Sequence, residues 1–439
     1  MAIIVRRLLM ALLLVSLPMC IQAQFTFTTN QDGTLSISKY TGSDRTVIIP
    51  SETNGIAITQ IGNNAFLSFP PPMSQNLSPT NVLIPNSIVS IGSNAFAFGA
   101  LASIAIPSSV TNIGTGIFAY CSKLLNIEVS SDNQKYSSID GALLNKSKTQ
   151  LVAFPGGVGG SYVVPDTITN IEDAAFAGNI LILSVSMPTG VMSIGNSAFD
   201  GCKNLTNIFM PNSVVNIGSY AFHYCLHLSN VTIPSGVTNI AEGTFKECYG
   251  LTSVIFSTNV TSIGLRAFEY SSIYNLVIPS SVTTIGEGAF EISSLTNIII
   301  PGSVTNIGMA AFQSCPYLVS VYFTGDAPNA GYAAFDMDYS ATIYYLPRTS
   351  GWSSTFSGRP ALCWNPKAQA DGSFGIQNNQ FGFNITGTTN IPIVVEACTN
   401  LANAVWSPLQ SCLVTNGSIY FRDPQYSNYP SRIYRFRSP

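Results

Sequence analysis

"IPGSVTNIGMAAF" occupies residues 300–312, and "IPNSIVSIGSNAF" (84–96) and "MPNSVVNIGSYAF" (210–222) follow the same template. The Phe that closes each copy recurs at 66, 96, 118, 176, 199, 222, 245, 268, 290, 312 and 335, mostly 22 or 23 residues apart. A second marker (Leu205, Leu228, Leu251, Ile273, Leu295, Leu318) keeps the same step. A fixed period of this length marks a solenoid, in which no copy buries its apolar face alone and each stacks on its neighbours.

Each copy divides into recognisable parts. In "LTNIIIP" (295–301), Ile298 and Ile300 alternate at the period of two expected of a strand. Pro301 ends the ladder because it has no N–H to donate. "SVTNI" predicts a second short strand, and Gly308 a turn. Other copies place Ser93, Asn196 or Ser219 after the Gly, good N-caps for a short helical turn that carries Ala and Phe into the core. The expected fold class is therefore a mainly β repeat solenoid of about 11 rungs with short helical turns, followed by a small all-β domain.

Only 9% of residues are charged while 46% are apolar, against about 25% charged in an average soluble protein. The surface must be covered by Ser, Thr, Asn and Gly, as in many exported β-rich proteins. Arg6 and Arg7, the run "LLMALLLVSLPMC" and the small Ala23 predict a secretory signal peptide over 1–23. A lipoprotein signal ending at Cys20 is the competing reading, and bulky Met19 argues against it. No later run is long and apolar enough to span a bilayer. The net charge of −3 gives no basic surface for nucleic acid.

The pattern L-x-x-I-x-I-P-x-S-V-x-x-I-G-x-x-A-F-x-x-C resembles the BspA-type leucine-rich repeat of bacterial surface proteins, over roughly 45–345. The resemblance implies a secreted or cell-surface protein that contacts an extracellular protein or polysaccharide through its solenoid face, with no cofactor and no catalysis. A structural envelope component is the alternative, and a hydrolase built on the repeat a distant third. Ser257 for the strand-ending Pro, Ala241 for the Gly, and the final "TGDAPNAGYAAF" depart from the pattern. The expected divisions are an N-terminal cap (24–44), the solenoid (45–362) with a longer hairpin unit at 124–165 turning on "NKSK", a linker (363–380) and a β-sandwich-like module (381–439). That module resembles those on secreted verrucomicrobial proteins.

Chemistry-bearing residues fall mostly at repeat phases. Cys121, Cys202, Cys225, Cys248 and Cys315 each follow the Phe by three residues, which predicts stacked, free, buried thiols. Cys398 and Cys412 are the best disulfide candidates. His223, Cys225 and His227 are formal zinc-type ligands, but belong to one copy. Glu269 and Glu291 share a phase one rung apart, a spacing that suits a retaining glycosidase pair, yet the phase also holds Asp200, His223, Lys246 and Gln313, a solvated mixture. "PGGVGGS" (155–161) lacks the Lys of a phosphate loop. Arg422, Arg432, Arg435 and Arg437 could meet acidic envelope polymers.

The remaining signal is a column. Between the two core positions of each first strand, one residue must point outward. Down the stack these are Leu83, Ala105, Ser186, Phe209, Thr232, Ile255, Val277, Ile299 and Tyr322, beside a polar column including Asn207, Asn230, Asn275 and Asn297. A contiguous apolar stripe marks a contact surface. Leu83, Phe209, Ile255, Val277, Ile299 and Tyr322 are the candidate partner-binding residues, unless the chain covers them itself.

Overall fold

A computed structural model describes residues 24–67 and 78–438; the signal-peptide assignment lies outside them. The chain is a mainly β solenoid of about 13 turns with small all-β sheets at its C-terminal end and almost no helix. It divides into two units, Met1–Ile273 with Gly288–Ser293, and Tyr274–Glu287 with Ser294–Pro439.

Each regular rung carries two short strands, such as Asn207–Phe209 and Asn216–Ile217, and each pairs in parallel with the same strand of its neighbour. The registers match like with like: Ile208 sits beside Val185, and Ile217 beside Ile194. Inward residues are shut off from solvent, and the Phe rings stack. Centroid separations run from 4.7 Å for Phe176–Phe199 to 5.8 Å for Phe96–Phe118 in the first unit, and Phe312–Phe335 is 5.1 Å in the second. Burying one such ring contributes roughly 1.5–3 kcal/mol. The turn Gly is required by close approach: a Cβ on Gly308 would lie 2.3 Å from the Glu287 nitrogen of the adjoining rung.

The expected helical turns do not form. In the eleven copies that close on Phe66 to Phe335, the residue two before the Phe has positive φ, from Asn64 (59°) and Asn94 (55°) to Ala310 (54°) and Ala333 (57°). The residue two after it is also left-handed in rungs from Phe98 to Met337. An α-helix admits no such residues. Left-handed backbone around each Phe turns alternate N–H groups toward the next rung: Ser197 N donates to Ser219 O, Phe199 N to Ala221 O and Gly201 N to His223 O, at 2.7 to 2.9 Å. Stacking thus satisfies what a helix would have satisfied locally.

In the first unit, Phe25–Thr29 and Leu35–Tyr40 form an antiparallel hairpin whose second strand pairs with Ile56–Ile61. Tyr40 closes the turn column: its N–H donates to Ala65 O, and its ring stacks on Phe66 at 5.2 Å. The long interval before Phe176 holds a three-stranded antiparallel meander, Tyr136–Ile139, Ala142–Asn145 and Gln150–Ala153, rather than a single hairpin. Asp140 and Gly141, with φ of 50° and 80°, make the additional turn. Phe154, missed by the period count, restores the ring column by stacking on Phe176 at 4.9 Å.

In the second unit the segment expected to be a linker is part of the terminal module. Lys367–Ala368 and Gly375–Gln377 both pair with Gln380–Thr386, which also pairs with Ser418–Asp423. Pro392–Cys398 forms a second sheet with Ser407–Leu413 and Ile433–Arg437. The polar composition of 365–380 hid strands whose backbone pairing needs few apolar side chains.

Candidate functional site

The outward column follows from the registers. In the first unit Ile48 stands beside Leu83, Val163 beside Ser186, Ser186 in turn beside Phe209, and Thr232 beside Ile255. All of these are exposed, Phe209 by 60%. Ile48 and Val163 join the column beyond the expected members, and "VIIP" (47–50) and "YVVP" (162–165) carry the signal for them, an apolar residue before the final Ile-Pro or Val-Pro. In the second unit Val277, Ile299, Tyr322 and Tyr344 are successive ladder partners. Val277 is 82% and Ile299 50% exposed.

Tyr322 departs from the expectation of a free residue. It is 6% exposed and Tyr344 7%, their rings stacked at 5.0 Å. Both join the apolar core of the terminal module, with Phe383, Ile385, Ile391, Ile393, Val395 and Phe421. Trp364 Nε1 donates to Pro392 O at 2.8 Å beside this seam. The column therefore continues under the module instead of ending, and burial pushes both phenols up.

The other candidates resolve into internal contacts. Cys121, Cys202, Cys225 and Cys248 are free and buried, each donating its thiol to the Phe carbonyl of an earlier copy at 3.0 to 3.2 Å. Burial raises the Cys121 and Cys248 thiols to about 12, so neither is a thiolate nucleophile. The same phase carries buried Asn179, Ser271, Ser293 and Asp338. Asn179 shows why a polar residue is tolerated: its amide donates to Pro155 O and Val158 O, and its Oδ1 accepts from Leu181 N and Ile182 N.

Cys398 and Cys412 are both free. Cys412 stands opposite Ile393, five residues along the strand from Cys398, about 17 Å at the rise of a strand and far beyond disulfide reach. His223 Nδ1 lies 2.7 Å from Asp200 Oδ1 and its Nε2 3.7 Å from Glu247. His227 Nδ1 instead meets Lys203 O, and Cys225 the Phe199 carbonyl, so the three side chains do not converge. The Asp200 hydrogen bond holds the His223 imidazole above its ordinary pKa.

Glu269 is buried against Lys246, with Arg266 Nε 3.9 Å away. A carboxylate so neutralised by cations is a poor nucleophile. In the module, Arg432 pairs with Asp423, and Arg435 and Arg437 both pair with Glu396. Three of the four arginines considered for polymer binding are thus held internally.

The comparisons with known proteins follow the same lines. No curated protein matches the chain. A leucine-rich repeat protein from Eubacterium ventriosum is 25% identical, covering 62% of this chain and 94% of its own, with a TM-score of 0.41. One from Bacteroides ovatus is 24% identical over 73% of this chain and 70% of its own, at 0.43. A leucine-rich cell surface protein from Faecalibacterium prausnitzii is 22% identical over 69% and 94%, at 0.35. The model of the BspA type leucine rich repeat region matches in 6 copies across residues 40–159, 160–271 and 215–342. The chain belongs to the BspA-type leucine-rich repeat family.

Proposed function

We propose that the chain is an exported surface protein that binds an extracellular protein partner through the outward column of its first strands. The observation that carries this reading is the burial of Tyr322 and Tyr344 beneath the terminal module. Where the column meets a β-rich protein surface, it forms a core; where it meets none, Val277 and Ile299 stand exposed beside it in the same unit. Phe209 and Ile255 offer the same chemistry in the first unit. Exposed aromatic and β-branched residues on a regular ladder suit broad, shallow contact, and Phe is enriched at such interfaces. The leader composition and the family support export, and the low charge suits a crowded exterior surface. Most of the column is apolar or β-branched, with Glu128 beside Ala105 its one carboxylate among the described residues, which favours binding over catalysis on this face.

The test is retention of the purified chain on immobilised extracellular-matrix proteins and, separately, polysaccharides, against two double variants, Phe209→Ser with Ile255→Ser and Val277→Ser with Ile299→Ser. A tenfold or greater loss of protein binding at unchanged melting temperature is expected from at least one of them. Unchanged retention by both would end the proposal. Retention only on polysaccharide would redirect it to a glycan ligand. Concentration-dependent assembly, lost in the variants, would show that the partner is another copy.

A further inference from the structure

The turn column has a direction. Within the second unit, Ala310 N donates to Tyr332 O, Phe312 N to Ala334 O and Ser314 N to Asp336 O, at 2.9 to 3.0 Å. The carbonyls of the last regular turn are therefore taken from behind, and its own N–H groups at Ala333, Phe335 and Met337 face onward. No acceptor meets them among the described residues. The next rung is cut short: Thr342–Tyr345 runs to Arg359–Cys363 through 346–358, with only the two-residue strand Thr355–Phe356 between them and no second strand or Gly-turn-Phe segment of the regular kind. The Phe356 ring reaches Phe335 at 6.3 Å, but its backbone does not replace the missing carbonyls.

What remains is a notch of about 600 Å³, lined by Asn329–Ala333, Asp336 and Ser357–Arg359 among others. Arg359 lies 5.6 Å over the Tyr339 ring, and its Nε is buried without a hydrogen-bond partner. At the turn this edge offers donors, the polarity that backbone anion sites exploit; on the strand before it the Pro328 and Ala330 carbonyls face onward, as Thr305 O and Ile307 O do to Asn329 N and Gly331 N, so the anion end of the notch is the turn. The Arg359 guanidinium, among the residues that line the same notch, supplies the planar fork that carboxylates fit.

We propose that this notch is a carboxylate-binding site, with the ligand held between the Ala333 N–H and the Arg359 guanidinium. Asp336 is exposed on the same wall and weakens the site by repulsion, so it tunes affinity rather than making contact. The occupant is identified by that chemistry alone, an acidic group on a partner or a free organic acid.

Full-length protein labelled with carbonyl-¹³C tyrosine and ¹⁵N alanine gives two Tyr–Ala amide signals, Ala221 and Ala333. Ala221 lies in a regular rung and serves as the internal control. Titration with sodium acetate, at ionic strength held constant with chloride, should shift Ala333 saturably and leave Ala221 in place. Arg359→Gln should weaken the response at least tenfold, and Asp336→Asn should strengthen it several-fold. The Ala221 signal reports whether each variant is folded, and Asp336→Asn tests the site independently should Arg359→Gln fail. An Ala333 shift that is absent, or the same in wild type and both variants, overturns the proposal. Inorganic phosphate binding more than tenfold better than acetate would assign a tetrahedral oxyanion in place of the carboxylate.

Discussion

Val277 and Ile299 occupy the same column as Tyr322 and Tyr344, on adjoining strands of one sheet, yet the first pair is exposed and the second sealed. Nothing in strand geometry separates them: all four alternate outward between core residues. The difference is a third party, the terminal module, which places Phe383, Ile385, Ile393 and Val395 against the tyrosines. An outward position on this scaffold is thus not a solvent position by nature. It is a position that another β-rich surface can cover, as the module covers the tyrosines.

The comparison can be sharpened by separating scaffold from contact within one rung. Phe222→Ala removes a fully buried ring stacked between Phe199 and Phe245 and should cost about 3–5 kcal/mol. Phe209→Ser, on the outward column of the same rung, should stay within about 0.5 kcal/mol. Urea unfolding of both variants measures the contrast; equal losses would mean that the column is covered after all.

A pH effect of somewhat smaller size belongs to the second unit. Asp338 is buried, its Oδ1 accepting from Cys315 N while Oδ2 has no partner, and desolvation raises it to about 7. A carboxyl that is raised on folding stabilises the fold most when both states are protonated, below about pH 4. That stability is lost as pH rises toward and through about 7, at most about 4 kcal/mol. Asp338→Asn keeps the Cys315 bond and should flatten the slope between pH 4 and 8. A slope that persists in the variant would place its origin elsewhere.

Tyr322→Ser with Tyr344→Ser should loosen the module by about 2–4 kcal/mol through lost packing. Hydrogen exchange in 381–437 should rise sharply while 84–245 is unaffected. Unchanged exchange in the module would show that its seam on the tyrosines contributes nothing, breaking the comparison. The smallest effect concerns the thiols. In native protein, a maleimide should label Cys363 and Cys412, which are partly exposed, before any of the buried cysteines. Non-reducing peptide mapping should find no Cys398–Cys412 crosslink.

The sequence by itself determined the repeat, its step, the core residues and the family. The reason is that a solenoid's long-range contacts are copies of one contact, so the period alone specifies them: Ile298 and Ile300 read as inward because every rung repeats their alternation. It also located the outward column through Leu83, Phe209, Ile255, Val277 and Ile299, since strand alternation is a local property. Three things needed the tertiary structure. The turns are left-handed rather than helical because their N–H groups find acceptors only on the next rung, which no local capping signal reveals. Phe154 enters the ring column because a meander of irregular length brings it there. Tyr322 is buried because a module some sixty residues further along the chain folds over it, a contact between unlike parts that no internal period can announce.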